Sequence, residues 1–265
     1  MLICAALGIL MTTSQPHWEL IVLGVAQDAG FPQLGCEKAC CVEKRKGKPE
    51  RVSCIGVRNP ETGESILFDA TPDMPAQIQE LNGGVKPTGV FLTHGHIGHY
   101  TGLMYFGRES ADWKGVPTYG SAKMYSFLDS NQPWKALIDN KNLDFHTIEP
   151  DKPVKVAEGL EVTAMSVPHR HEFTDTFGFV IKGPHKSAVF IPDIDRWEQW
   201  DRDIRTVANE NDYLILDGTF SSPAEVGGRD ISQIPHPMIP VTRALLKGCK
   251  GAVWFIHLNH TNPAY

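Results

Sequence analysis

Three histidines fall within six residues at His94, His96 and His99, in the stretch LTHGHIGHYTG that directly follows the apolar run GVFL. Neutral imidazole nitrogens bind zinc at about 2.0–2.1 Å, and structural or catalytic sites collect three or four such donors. In an extended or tightly turning segment His94 and His96 point the same way, so the pair can chelate one ion while a third imidazole arrives from another loop. His169, in the stretch PHRHE, is the candidate for that third position. A single histidine is usually a packed or surface residue. Three of them immediately after a strand-like run, with more at the ends of other such runs, point to a metal centre.

The elements that must hold these side chains are short apolar runs at 20–23, 66–68, 90–92, 160–167, 177–181, 188–191, 213–216 and 252–256, which read as strands. Helical spacing predicts helices over 74–81, 122–128, 197–207 and 238–246. Strands interspersed with helices predict an α/β (α+β) sandwich. The runs end in polar clusters: His94, His96 and His99; His169 and His171; Asp193; Asp217; and His257 with His260 in HLNH. Five such clusters imply one shared rim, because the ends of strands in a rigid sheet can bring together side chains from distant parts of a chain.

Composition narrows the function classes. The 265 residues carry a formal net charge of −6, with 42% hydrophobic and 21% charged residues, as expected of a globular protein able to bury a full core. An acidic balance gives no electrostatic reason to bind nucleic acid, and the basic stretch 44–51 is broken by Gly47, Pro49 and Glu50. Residues 2–11 form an apolar run followed by TTSQP. Its length fits the h-region of a secretory signal and is too short to span a bilayer, although no basic residue precedes it. The expectation is a removed signal over 1–15 and a single domain over 16–265. The protein would then be secreted or periplasmic, without a membrane segment in its mature form; if the run is instead a buried first element, the protein is cytoplasmic. Oligomeric state is not readable.

At the level of motifs the chain resembles the metallo-β-lactamase superfamily, whose signature HxHxDH is followed by a distant His, a distant Asp and a last His. Here the corresponding residues are His94, His96, Gly98, His99, His169, Asp193 and His257. The resemblance implies a four-layer αββα sandwich with a metal centre on one edge. A closer similarity is to the pyrroloquinoline-quinone biosynthesis protein B branch and related phosphodiesterases. It rests on GFPQ (30–33), ATPDMPAQI (70–78), IGHYTGL (97–103), IPDID (191–195), GRDISQIPHP (228–237) and HLNHTNP (257–263), which together cover nearly the whole chain. The chain departs from that branch in carrying the paired His94 and His96.

In the superfamily pattern the aspartate of HxHxDH binds a second metal. Gly98 therefore removes one anionic ligand and leaves His99, Asp193 and His257 to hold that ion, with His171 or Asp195 as candidate helpers. The other reading of Gly98 is a turn that needs positive φ, with no second ion at all. Zinc is the expected metal, one or two ions, with Mn or Fe at the second position.

The leading functional expectation is a metal-dependent hydrolase acting on a small-molecule phosphodiester or related ester. The ion would lower the pKa of a bound water from about 15.7 towards roughly 7. Asp193 would orient that water and His236, in QIPHP, is a candidate proton donor, unless it merely precedes a helix. The alternatives are an iron-dependent redox role in quinone-cofactor biosynthesis and a non-catalytic metal-binding module. Specificity is expected in the segment 110–150, although Trp113, Tyr119, Tyr125, Phe127 and Trp134 at such spacing are more often packing residues.

The cysteines suggest a separate site. Cys36, Cys40 and Cys41 offer three thiolates within six residues, and with His260 they would make a Cys3His structural zinc site of the kind the phosphodiesterase relatives suggest. Adjacent Cys40 and Cys41 are awkward joint ligands, so Cys54 or a water can take one place. A disulfide, or buried free thiols, are the rival readings.

Overall fold

The computed structural model describes residues 16–230 and 233–265; the expected signal segment 1–15 lies outside them. Two six-stranded sheets pack face to face. The first runs in the order β1 (Glu19–Gly24), β2 (Cys54–Arg58), β3 (Ser65–Phe68), β4 (Gly89–Phe91), β5 (Val116–Gly120), β6 (Leu143–Thr147). The second runs β12 (Ala252–Ile256), β11 (Tyr213–Asp217), β10 (Ser187–Ile191), β9 (Phe177–Lys182), β8 (Leu160–Ser166), β7 (Pro153–Ala157). The inner strands β3 to β6 are mutually parallel, as are β10 to β12, while β1, β2 and β7 to β9 pair antiparallel.

The period-two alternation of the strands sorts their side chains into layers. Ile66 and Phe68 of β3 face the other sheet, joining Ile55, Phe91, Phe179, Phe190 and Ile215, whereas Leu67 between them faces outward. Four phenylalanines form the centre of the inter-sheet layer, with Phe68 5.4 Å from Phe91, 5.7 Å from Phe179 and 6.3 Å from Phe190 between ring centroids. The outer face of the first sheet is covered by α2 (Met74–Asn82) and α4 (Ala122–Ser130) through Met74, Ile78, Leu81, Met124 and Leu128. The outer face of the second is covered by α6 (Ile204–Glu210), with Ile204, Val207 and Ala208 against Val189, Leu214 and Leu216. The short helices α1 (Ala39–Lys44), α3 (Ile97–Tyr100), α5 (Trp134–Asp139) and α7 (Ile239–Leu245) complete the chain. Strands covered on both faces need not alternate in polarity, which is why ILF of β3 and AVFI of β10 are continuously apolar. The architecture is the expected αββα sandwich.

All eight expected strands are present, and four more had no legible signal. The helix expected over 197–207 is instead a single 3-10 turn, Trp197–Gln199, followed by α6. Asp203 starts the second helix by accepting a hydrogen bond from Arg205 N at 2.8 Å, and that capping geometry breaks a continuous helix. Among the described residues no helix is long and apolar enough to cross a membrane.

Candidate metal centre

The loops that leave β1, β3, β4, β8, β10, β11 and β12 meet on one edge of the sandwich, and each delivers a titratable side chain. After β4, His94 is buried, His96 is the N-cap of α3, and His99 lies within that helix. His94 Nε2 lies 2.8 Å from His96 Nδ1, and His169 Nε2 lies 3.3 Å from the same atom. Their far nitrogens are all engaged: His94 Nδ1 with Thr93 Oγ1 at 2.9 Å, His169 Nδ1 with Asp195 Oδ1 at 2.9 Å, and His96 Nε2 with Glu172 Oε2 at 3.2 Å. Carboxylates only accept, and the Thr93 hydroxyl donates to Asp69 at 2.9 Å, so its oxygen is free to accept. Each histidine therefore donates outward and turns a lone pair inward. Burial, reinforced by the neighbouring imidazoles, holds His94 well below the usual histidine range, which keeps it in the neutral form a metal requires.

A second group stands beside the first. His99 Nε2 and His257 Nε2 approach Asp193 Oδ2 at 3.1 and 3.2 Å, and approach Asp28 Oδ1 at 3.2 and 3.1 Å. The outward nitrogens are again occupied, His99 Nδ1 by Asp69 Oδ2 at 2.7 Å and His257 Nδ1 by Thr219 Oγ1 at 3.0 Å, with Thr219 donating to Asp217 at 2.8 Å. Neutral imidazoles so anchored would direct lone pairs at carboxylate oxygens, an arrangement that only a proton or a cation in the middle can stabilise. Burial acts to lower the His99 pKa, yet Asp69, Asp193 and Asp28 outweigh it and hold His99 well above the usual range. Burial likewise opposes ionisation of Asp193, but the surrounding histidines hold it well below the carboxylate range.

Asp193 sits between the two groups, its Oδ2 also 3.5 Å from His94 Nε2 and its Oδ1 3.7 Å from His169 Nε2. Its buried Oδ1 makes no hydrogen bond. An ionised, buried oxygen without a donor is costly unless a cation meets it. The inward lone pairs and this orphaned oxygen make the donor set fit for metal ions. Asp69, His236 and His257 all adopt left-handed backbone (φ 69, 90 and 62). Such strain outside glycine persists only where surrounding structure enforces it, and it gathers at functional sites.

The family model described as the beta-lactamase superfamily domain matches residues 64–257. The chain belongs to the beta-lactamase superfamily. Its relatives within that superfamily include coenzyme PQQ synthesis protein B of Methylobacillus flagellatus, 29% identical over 91% of this chain and 90% of the relative, and that of Nitrosococcus oceani, 27% identical over 91% and 90%. Zn(2+)-bound PqqB from Methylobacterium extorquens superposes with a TM-score of 0.77 at 23% identity, covering 92% of this chain and 90% of that one. A diphosphatase from the PhnP family gives 0.69 at 21% identity, covering 93% and 88%. These two superpositions establish the shared fold.

Against the superfamily signature, the structure gathers His94, His96 and His169 in one group and His99, Asp193 and His257 in another. It does not bring His171 or Asp195 to the second group: His171 is exposed, and Asp195 is spent on His169. The positive-φ reading of Gly98 also fails, since Gly98 lies inside α3 with ordinary helical backbone. Instead, a Cβ there would stand 2.4 Å from Asp28 Oδ1 and 2.9 Å from Asp28 Cα. Asp28 is the site residue that sequence reasoning missed. The available signal was AQDAG directly after the first strand, the same strand-end position that singled out the others.

His236 is buried at the same edge, its Nδ1 2.7 Å from Asp217 Oδ2 and 3.3 Å from Asp193 Oδ1. Burial opposes protonation, but Asp217 and Asp193 push its pKa up to about 9. It precedes α7 without capping it, since the N-cap is Met238. In the aromatic segment, Tyr119 stacks on Phe91 at 4.4 Å and Trp134 packs on Tyr100 at 5.0 Å as part of the core. Phe127 reaches the mouth, 5.8 Å from the exposed Phe173, whose ring stands 6.3 Å from His96.

The cysteine corner gathers Cys36, Cys41 and His260, and leaves Cys40 and Cys54 out. Successive residues of α1 point about 100° apart, so Cys41 turns inward and Cys40 cannot follow. Cys54 lies in the first-sheet core, its thiol directed at the Asp69 carbonyl at 3.5 Å. Among the described residues the cysteines are free thiols. Burial and the adjoining Cys36 push Cys41 up to about 11, while hydrogen bonding from Cys41 and the nearby Lys38 and Arg45 outweigh desolvation to lower Cys36.

Proposed function

We propose that the protein is a metal-dependent hydrolase of small phosphodiesters or related esters. The observation that carries this reading is the position of Asp193, a buried carboxylate reaching both His94 and His169 on one side and His99 and His257 on the other. Zinc held by His94, His96 and His169, with a second ion shared by Asp193, His99 and His257, would supply Lewis acidity toward water and toward a substrate oxygen. Asp195, Glu172 and Thr93 hold the three imidazoles with their lone pairs inward. Asp193 orients the attacking water through Oδ1, which makes no hydrogen bond and has His236 Nδ1 3.3 Å away. His236 carries the proton for the leaving group: with Nδ1–H tied to Asp217, the transferable proton is the one on Nε2. Phe173 and Phe127 at the mouth offer an apolar wall to the substrate's leaving group. The structural likeness to a PhnP-family diphosphatase supports hydrolysis at phosphorus.

The test is hydrolysis of bis(p-nitrophenyl) phosphate by zinc-loaded protein, with His94→Ala as control. Turnover lost on that substitution supports the reading; no turnover on phosphodiester, ester and lactam substrates at full metal occupancy overturns it. A second reading, an iron-dependent step in quinone-cofactor synthesis, is favoured by the names of the relatives that span 91% of the chain. Iron as the native metal, together with oxygen consumption, would decide for it.

Cys36, Cys41 and His260 fit a separate structural zinc, completed by a water or another donor. It would tie the loop after β1 to the segment after β12.

A further inference from the structure

Gly98 is a poor choice for a helix, because glycine loses more backbone freedom on ordering than any other residue. Nothing about its own backbone requires glycine. What forbids a side chain is the loop after β1, whose Asp28 occupies the space a Cβ would need. That loop is fixed from both sides. Gln27 N donates to Leu258 O at 2.9 Å and Leu258 N donates to Val25 O at 2.8 Å, while Ala26 bridges to both Val52 and Leu258. The segment carrying His257 therefore also sets the position of Asp28, and the two side chains arrive together.

The donor atoms at this place are Asp28 Oδ1, Asp193 Oδ2, His99 Nε2 and His257 Nε2, all close to one another. Each nitrogen faces two carboxylate oxygens at 3.1 to 3.2 Å. An N–H can satisfy one of them. A single cation at the centre satisfies all four, and zinc so held can still expand to five-coordinate to meet a substrate oxygen. Two carboxylates with two neutral imidazoles also cancel the charge of a divalent ion, which removes much of the cost of burying it.

We propose that Asp28 is a ligand of the second metal ion, delivering from the loop after the first strand the carboxylate that the superfamily signature carries on the helix at position 98. This rests on the metallohydrolase reading. Gly98 and Asp28 are then one exchange: the carboxylate has moved to another element and the glycine leaves room for it. The second pocket is complete, with its fourth ligand more than sixty residues upstream of the motif.

The experiment counts zinc by elemental analysis on the folded full chain after loading and desalting, with circular dichroism melting to verify the fold. Asp28→Asn should lose about one zinc per chain and keep the ion that depends on His94; Asp28→Asn with the wild-type count and affinity overturns the proposal. A second variant reads coordination directly. Asp28→Cys loaded with cobalt(II) should gain a thiolate-to-cobalt charge-transfer absorption beyond that of the native cysteines, and a spectrum identical to wild type in that region overturns the proposal even if Asp28→Asn does not fold. If wild type holds no His94-dependent ion, the metallohydrolase reading fails; if it does and residue 28 is indifferent, only this inference fails.

Discussion

The two halves of the metal centre are built on different plans. The group around His94 is three imidazoles, two of them from one motif, each oriented by a group outside the pocket. The group around His99 mixes two imidazoles with two carboxylates drawn from the ends of β1, β10 and β12 as well as α3. The first takes two of its three ligands from one loop by local spacing and only the third, His169, from the loop after β8. The second depends on the register of distant segments, and its charge makes the absence of a cation costly. An all-imidazole pocket can stand empty with little electrostatic penalty, whereas the carboxylates of the second pocket hold His99 charged until a metal replaces the proton.

That contrast can be broken most severely at the group both halves share. Asp193→Ala should empty or weaken both pockets, lowering the zinc count by about two and phosphodiester turnover by on the order of 10³-fold or more, as expected when several kcal/mol of metal-borne stabilisation vanish. Retention of either ion at wild-type affinity would show that Asp193 does not bridge. His94→Ala should sharpen the contrast: one ion is lost, turnover disappears, and the ion beside His99 stays, as isothermal titration with zinc would record.

A milder pair of changes addresses the orienting groups. Asp195→Asn, which loosens His169, should weaken only the first ion by about 10–100-fold, and Asp69→Asn, which loosens His99, should weaken the second by a similar factor. Asn tolerates the left-handed backbone at position 69, so the fold should persist in both. Since Thr93 also leans on Asp69, a smaller loss at the first pocket should accompany the second variant. The smallest effect on the centre is expected from the cysteine corner. Cys41→Ser should remove about one separate zinc and lower the melting temperature, while the His94-dependent ion stays loaded; any weakening should fall on the second pocket, whose Asp28 and His257 are carried by the segments this corner ties together.

Much of the framework was legible because its signals are local. Continuous apolar runs marked eight strands, and strand-end polar residues marked the rim. The four unread strands each lacked that signal. Pro117 interrupts β5, LDFHT of β6 is largely polar, Pro153 and Lys155 break the short apolar signal of β7, and CIGVR of β2 is short and contains a glycine. Their pairing comes from neighbours in the sheets, where a strand is fixed by what lies beside it more than by its own propensity. The exclusion of Cys40 was foreshadowed by its adjacency to Cys41, but which of the two turns inward was settled by the packing of α1 against Ala26 and Phe31.

The sequence by itself determined the cluster of His94, His96 and His99 and the departure at position 98, which are matters of residue type and short spacing, and the order of the superfamily signature through His169, Asp193 and His257. Tertiary structure alone decided what fills the space at Gly98, because Asp28 is 71 residues from His99 and 229 from His257 along the chain. No periodicity or motif spans such separations. The pairing of the first and last strands' loops does, through backbone hydrogen bonds that carry no trace in side-chain identity.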